Sequence, residues 1–219
     1  FSLIKEIVDH CRKTYPDMSF QFSMNSNVAL TTPEIARTID ELGIEIATSI
    51  DGTKEWNDRV RITRNGKGTY DLIMKGRANL QAAGVNTGAS SVTVTPKNLP
   101  GINTALIDWT VEQGNNEISI DLDVIHLYRE LSPQEAVQQL IELSRYGRST
   151  GVRVTGFWER PSENMYPSIL EKPTGFCGGK KGHSMCVAPS GDILICGYSA
   201  TKVGNVLNEG LHLPNKKYV

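Results

Sequence analysis

Regular alternation of helix-patterned and strand-patterned segments constrains this chain more than any other feature of its sequence. Leu3, Ile4, Ile7, Val8 and Cys11 share one face of an amphipathic helix over residues 3–13, and residues 19–24 then alternate as a strand. A second helix is announced by Thr32 as cap, Pro33 at the first helical position and Gly43 as its stop. The spacing predicts a strand over 45–50, a polar stretch from Thr53 to Gly68, and a helix from about Tyr70 to Ala83. It then predicts a strand over 89–94, a helix around 102–112 and a strand over 117–122. Ser132-Pro133-Gln134-Glu135 forms a capping box, Gly147 is expected to close that helix, and a last strand follows over 152–157.

Strands separated by helical crossovers must run parallel, which places the chain in the α/β class. No glycine-rich phosphate loop follows any strand, so a dinucleotide-binding fold is disfavoured and a barrel, or part of one, fits better. In parallel α/β folds the working residues gather at the C-terminal ends of the strands. That rule selects Asn25, Asn27, Ser49, Asp51, Thr93, Thr95, Asp121 and Asp123.

The net charge of -1 over 219 residues argues against nucleic acid or an anionic membrane surface as a partner. No apolar run approaches the ~20 residues that span a bilayer. Four cysteines, three of them clustered and Cys11 alone on a helix face, do not form a secreted disulfide framework, so a cytoplasmic location is expected. The chain opens at Phe1 inside a helical pattern and is expected to be a fragment of a longer protein. A barrel lacking its first strands would leave an apolar edge near Phe20 and Phe22, with self-association as its consequence.

The clustered cysteines are Cys177, Cys186 and Cys196. Gly178, Gly179 and Gly182 make a loop after the first, and Ala188-Pro189-Ser190-Gly191-Asp192 reads as a tight hairpin turn. Thiolates brought near one another by a hairpin suit a soft metal, either zinc or an iron–sulfur cluster. Cys177, Cys186, Cys196 and His183 would make a zinc site of the Cys3His type in a non-catalytic binding module, though gaps of 8 and 9 residues are longer than zinc knuckles use.

Three blocks resemble the peptide-modifying branch of the radical S-adenosylmethionine enzymes. They are Ser49-Ile50-Asp51-Gly52, Asn57-Asp58-Arg59-Val60-Arg61, and Gly66-Lys67-Gly68-Thr69-Tyr70-Asp71. In that family they read as a Ser-Leu-Asp-Gly turn, a His-Asp-x-x-Arg segment and a Gly-Ser-Phe-Asp helix start. Met24-Asn25-Ser26-Asn27 is similar to the family's Asn-bearing strand end, and Cys177-x13-Gly191-x4-Cys196 to the first half of its SPASM or twitch domain. The family's Cys-x-x-x-Cys-x-x-Cys loop and its Gly-Gly-Glu-Pro strand are absent from these residues.

The resemblance implies a partial (β/α) barrel over 1–160 and the start of a small auxiliary iron–sulfur domain with a cysteine hairpin over 161–219. It implies S-adenosylmethionine as cofactor, 4Fe–4S clusters, and hydrogen-atom abstraction from a peptide or protein substrate by a 5′-deoxyadenosyl radical. Ser49 and Arg61 fall at the family's cofactor-binding positions, and Asn27 or Asn25 at its asparagine. A hydroxyl at a strand end suits a ribose or carboxylate, and a guanidinium suits a carboxylate. Asp51 either shapes the turn or meets a ligand. Cys177 and Cys196 take the metal positions, and Cys186 is a ligand or a core thiol. Gly197 stands where the sulfatase-maturating branch has an aspartate, which disfavours formylglycine formation. The 219 residues alone are expected to be inactive.

Overall fold

The computed structural model describes residues 1–127, 129–156, 185–195, 201–207 and 210–211. The chain divides into two units, Phe1–Phe157 and Trp158–Val219. The first begins with α1 (Ser2–Thr14), β1 (Phe22–Ser26), α2 (Pro33–Glu41) and β2 (Ile44–Ser49). Two helices follow, α3 (Lys54–Val60) and α4 (Tyr70–Ala82), then β3 (Ala89–Val94), α5 (Thr104–Glu112) and β4 (Glu117–Leu122). It continues with α6 (Val124–Leu127), α7 (Pro133–Thr150) and β5 (Arg153–Thr155).

The five strands form one parallel sheet in the order β1-β2-β3-β4-β5. Spatial order that follows the chain without reversal sends every right-handed crossover over the same face. That is the winding of a barrel, whereas a doubly wound sheet reverses at a switch point. Side chains alternate accordingly. Ile44, Ile46, Val92, Val94, Ile118, Ile120 and Val154 are buried, as are Ala36, Ile39, Ile73, Leu80, Ile107, Leu140 and Leu143 on the helices. Burying one such aliphatic side chain contributes about 1.5–3 kcal/mol. The alternate positions Ala47, Ser49, Ala89, Ser91, Ser119 and Asp121 are only half-buried and make the opposite, polar face of the sheet.

The strand and helix limits depart from the sequence pattern where a partner decides them. β1 starts at Phe22, opposite Ile44, because β2 has no earlier residue to pair with. Phe20 instead stacks on Phe22 with ring centroids 5.9 Å apart, and Arg12 covers Phe22 at 5.7 Å. No other described strand pairs with the far edge of β1. The polar stretch after Thr53 contains α3, which carries no apolar stripe. Arg59 stabilises it by stacking on Trp56 at 4.1 Å and pairing with Glu55 at 2.7 Å, one turn earlier.

Gly147 does not end α7, which runs to Thr150 and is capped by left-handed Gly151. Gly147 lies inside the helix because β5 comes too close for a side chain. A Cβ there would sit 2.6 Å from the Val152 carbonyl oxygen.

The described part of the second unit is an antiparallel sheet of β6 (Cys186–Val187), β7 (Asp192–Leu194), β8 (Lys202–Asn205) and β9 (Gly210–Leu211), in that order. The expected hairpin joins β6 to β7, with Cys186 opposite Leu194. Asp192 ties its turn to β8. It accepts from Asn205 Nδ2 at 2.9 Å and Ser190 Oγ at 2.8 Å and pairs with Lys202 Nζ at 3.0 Å. These contacts, led by the Asn205 amide, hold its carboxyl down to about 2.

Candidate functional site

The ends of β2 and β3 meet at a hydrogen-bonded cluster built from the three blocks singled out above. At its centre is Asp51, just past β2 and 2% exposed. Arg61, which caps the end of α3, donates to it from Nε at 2.8 Å and from Nη2 at 3.1 Å. Asp51 Oδ1 also accepts the backbone N–H of Thr93 on β3 at 2.9 Å. One carboxylate thus joins the ends of two neighbouring strands to the α3–α4 connection. The Asp51 side chain bonds Arg61 and Thr93 rather than its own turn, a longer-range role than the turn-shaping one expected.

Asn57 locks the turn from beneath. Fully buried, it accepts the Asp51 backbone N–H at 3.2 Å and donates to Asp58 at 2.9 Å. Asp58 in turn accepts the Tyr70 backbone N–H at 2.8 Å, serving a free donor in the first turn of α4. Thr69 donates its hydroxyl to the Arg61 carbonyl at 3.0 Å. Lys54 pairs with Asp71 across the same connection. Asn57, Asp58 and Thr69 were not chosen as site residues from the sequence. Their place in the matched blocks was the available signal.

Arg61 retains a side-chain exposure of 26%, and its Nη1 group makes no bond among the described residues. A guanidinium offers five N–H donors along two forked edges. Asp51 occupies the Nε/Nη2 edge, so the Nη1/Nη2 edge remains for a second carboxylate. Ser49, the last residue of β2 and two before Asp51, is half-buried with its hydroxyl unpaired among the described residues.

Asn27 directly follows β1 just as Ser49 follows Thr48, and Ser26 pairs with Thr48, so the two sit at one level of the sheet edge. Its Oδ1 accepts the Ala29 backbone N–H at 3.2 Å, and its amide N–H groups make no bond among the described residues. Asn25 lies one step lower, within β1 opposite Ala47. The loop after β1 is held in an uncommon conformation, with buried Val28 at φ 50. Gly76 of α4 makes that possible, since a Cβ there would lie 1.9 Å from the Val28 carbonyl oxygen.

Other residues named by the strand-end rule are engaged elsewhere. Thr95 bonds Asn98 at 3.1 Å, and Asp123 bonds His126 Nδ1 at 2.7 Å, which lowers the Asp123 carboxyl below its usual range. In the second unit Cys186 is a half-buried free thiol on β6. Cys177, Cys196 and His183 lie outside the described residues, and among those described no group of three potential metal ligands occurs. Cys11 is a half-buried free thiol on α1.

No family model matches the chain. Over 214 residues it is 24% identical to the radical SAM cyclopropyl synthase TigE of Paramaledivibacter caminithermalis, covering 96% of this chain and 44% of that protein. The chain therefore spans less than half the length of this curated relative. Its fold superposes on native anSMEcpe with bound AdoMet and Cp18Cys peptide at a TM-score of 0.71 and 18% identity, covering 94% of this chain and 60% of that one. The form with Kp18Cys peptide gives 0.72 at the same identity and coverage, and native anSMEcpe with bound AdoMet gives 0.71 at 18%, covering 93% and 59%. The chain is thus similar in sequence to a radical SAM enzyme and shares the fold of anSMEcpe. The parallel sheet expected for a radical SAM barrel is the one observed. No described helix is long and apolar enough to cross a membrane.

Proposed function

We propose that this chain is the cofactor-binding part of a radical SAM enzyme that modifies a peptide or protein by hydrogen-atom abstraction. The observation that carries the reading is the open fork of Arg61, held on Asp51, which follows by two residues Ser49 at the C-terminal end of β2, whose hydroxyl is unpaired among the described residues. S-Adenosylmethionine carries a carboxylate and a ribose, and both fit this donor set. In this reading Arg61 takes the carboxylate, Ser49 the ribose or carboxylate oxygens, and Asn27 donates from just after β1. When bound and reductively cleaved, the cofactor supplies a 5′-deoxyadenosyl radical, while the chain's own residues orient it and exclude water.

The structural neighbours holding peptides support a peptide or protein as substrate. We assign 1–160 to the barrel and 161–219 to the start of a SPASM or twitch domain. Cys177, Cys186 and Cys196 are its candidate ligands for an auxiliary 4Fe–4S cluster, with further ligands from the rest of a longer protein. The half-buried, unpaired thiol of Cys186 suits that role. A reducing cytoplasm keeps such thiols available. The 219 residues alone are inactive, and the far edge of β1 favours self-association in isolation.

The test is to express the protein with its upstream sequence, reconstitute it anaerobically with iron and sulfide, and measure iron, S-adenosylmethionine affinity and 5′-deoxyadenosine. About eight irons per chain are expected for two full clusters. Ser49→Ala and Arg61→Ala each weaken cofactor binding about tenfold, the effect of losing one charge-assisted or well-placed hydrogen bond. Unchanged affinity in both variants overturns the assignment, and 5′-deoxyadenosine from residues 1–219 alone overturns the claim of inactivity.

A further inference from the structure

We infer that Asp51 is a positioning residue that makes the site selective for a ligand bearing a carboxylate. The inference rests on the assignment of Arg61 to the cofactor carboxylate. An arginine side chain has several rotatable bonds, and orienting it on binding weakens affinity. Here the orientation is held by the chain's own groups. Asp51 grips Nε and Nη2 at 2.8 and 3.1 Å, and both contacts use one edge of the guanidinium plane. Planarity then fixes where the other edge points.

Asp51 is itself held from several sides. It is buried, its Oδ1 receives the Thr93 backbone N–H at 2.9 Å, and its own N–H is held by Asn57 at 3.2 Å. Rigidity passes from two strand ends through Asp51 to the ligand-facing fork of Arg61. The geometry also sets a preference of chemistry. With one edge occupied by a carboxylate, Arg61 presents two parallel donors rather than a diffuse positive charge, which matches a planar carboxylate better than a lone hydroxyl or amide oxygen.

Two roles for Asp51 predict opposite signs. As a positioning group it favours the ligand carboxylate by aiming Arg61. As a mere charge offset it would disfavour that carboxylate by repulsion. The readout is the ratio of affinities for S-adenosylmethionine and its decarboxylated analogue, measured by equilibrium dialysis on the reconstituted protein carrying its upstream sequence. Asp51→Asn is expected to lower that ratio about tenfold, with the decarboxylated ligand bound nearly as before. In the Arg61→Ala background the same change is expected to leave the ratio unaltered, because its route to the ligand is gone.

A ratio that rises in Asp51→Asn, or that falls equally with and without Arg61, overturns the inference. A wild-type protein that binds both ligands equally overturns instead the assignment of Arg61 to the carboxylate. If Asp51→Asn fails to fold, nitrogen-15 NMR of the wild-type arginine side chains decides. The Arg61 Nε–H is expected to be protected from exchange before S-adenosylmethionine is added and to stay protected after. Rapid Nε–H exchange without ligand overturns the inference.

Discussion

Replacing Gly76 by alanine tests how the loop that carries Asn27 is built. The new methyl carbon would lie 1.9 Å from the Val28 carbonyl oxygen and 2.8 Å from its carbonyl carbon. Carbon and oxygen need roughly 3.3 Å, so about 1.4 Å of separation must come from backbone movement. Movement is resisted on the loop side. Val28 O accepts the Thr31 N–H at 3.0 Å, Ser26 Oγ accepts the Val28 N–H at 3.1 Å, and Asn79 Nδ2 holds the Thr31 carbonyl at 2.8 Å.

Overpacking of this kind costs about 1–3 kcal/mol, and loss of one or two hydrogen bonds adds about 1–2 kcal/mol. Alanine in place of glycine in a helix returns about 1 kcal/mol. The net expectation is a destabilisation of about 1–4 kcal/mol. Urea unfolding followed by circular dichroism measures it, with an unchanged denaturant slope showing that the unfolded state is unaffected. A variant as stable as the parent, or about 1 kcal/mol more stable as helix propensity alone would have it, refutes the close approach of α4 to the loop.

Two further outcomes follow from the fold. Thr48 is fully buried and its hydroxyl has no partner among the described residues, so Thr48→Val is expected to raise stability by about 1 kcal/mol, read as a higher urea midpoint. A lower midpoint would reveal a partner for that hydroxyl. Asp192 has its carboxyl held down to about 2, below the usual value near 3.9. A depressed carboxylate stabilises the fold above its unfolded pKa, and that contribution fades as pH falls through the folded one. Protection of the β7 and β8 amides, taken relative to intrinsic exchange rates, is therefore expected to fall between about pH 4 and pH 2, and Asp192→Asn to remove that dependence. An identical pH profile in the variant would contradict the network around Asp192.

Much of the architecture was legible because it depends on local chemistry. Thr32 with Pro33, and Ser132 with Glu135, start helices where their side chains accept from Ile35 and Glu135 backbone N–H groups. Limits set by a partner were not legible. The start of β1 waits on Ile44, and Gly147 looks like a stop until β5 is seen pressing on it. The helix α3 was hidden because one stacked arginine stabilises it in place of an apolar stripe. In the site, Ser49, Arg61 and Asn27 could be named from their blocks and strand-end positions, whereas the bonds among Asp51, Arg61 and Thr93 could not.

By itself the sequence determined the α/β class, the parallel sense of the strands and the positions of the polar strand ends, since periodicity, caps and crossover length act over a few residues. Tertiary structure alone decided how the blocks act together. Asp51 and Arg61 are ten residues apart, and Asp51 and Thr93 forty-two, yet one buried carboxylate binds both. Such a contact depends on where two crossovers bring three backbone segments. No local pattern encodes that meeting, and it is what turns a surface arginine into an aimed one.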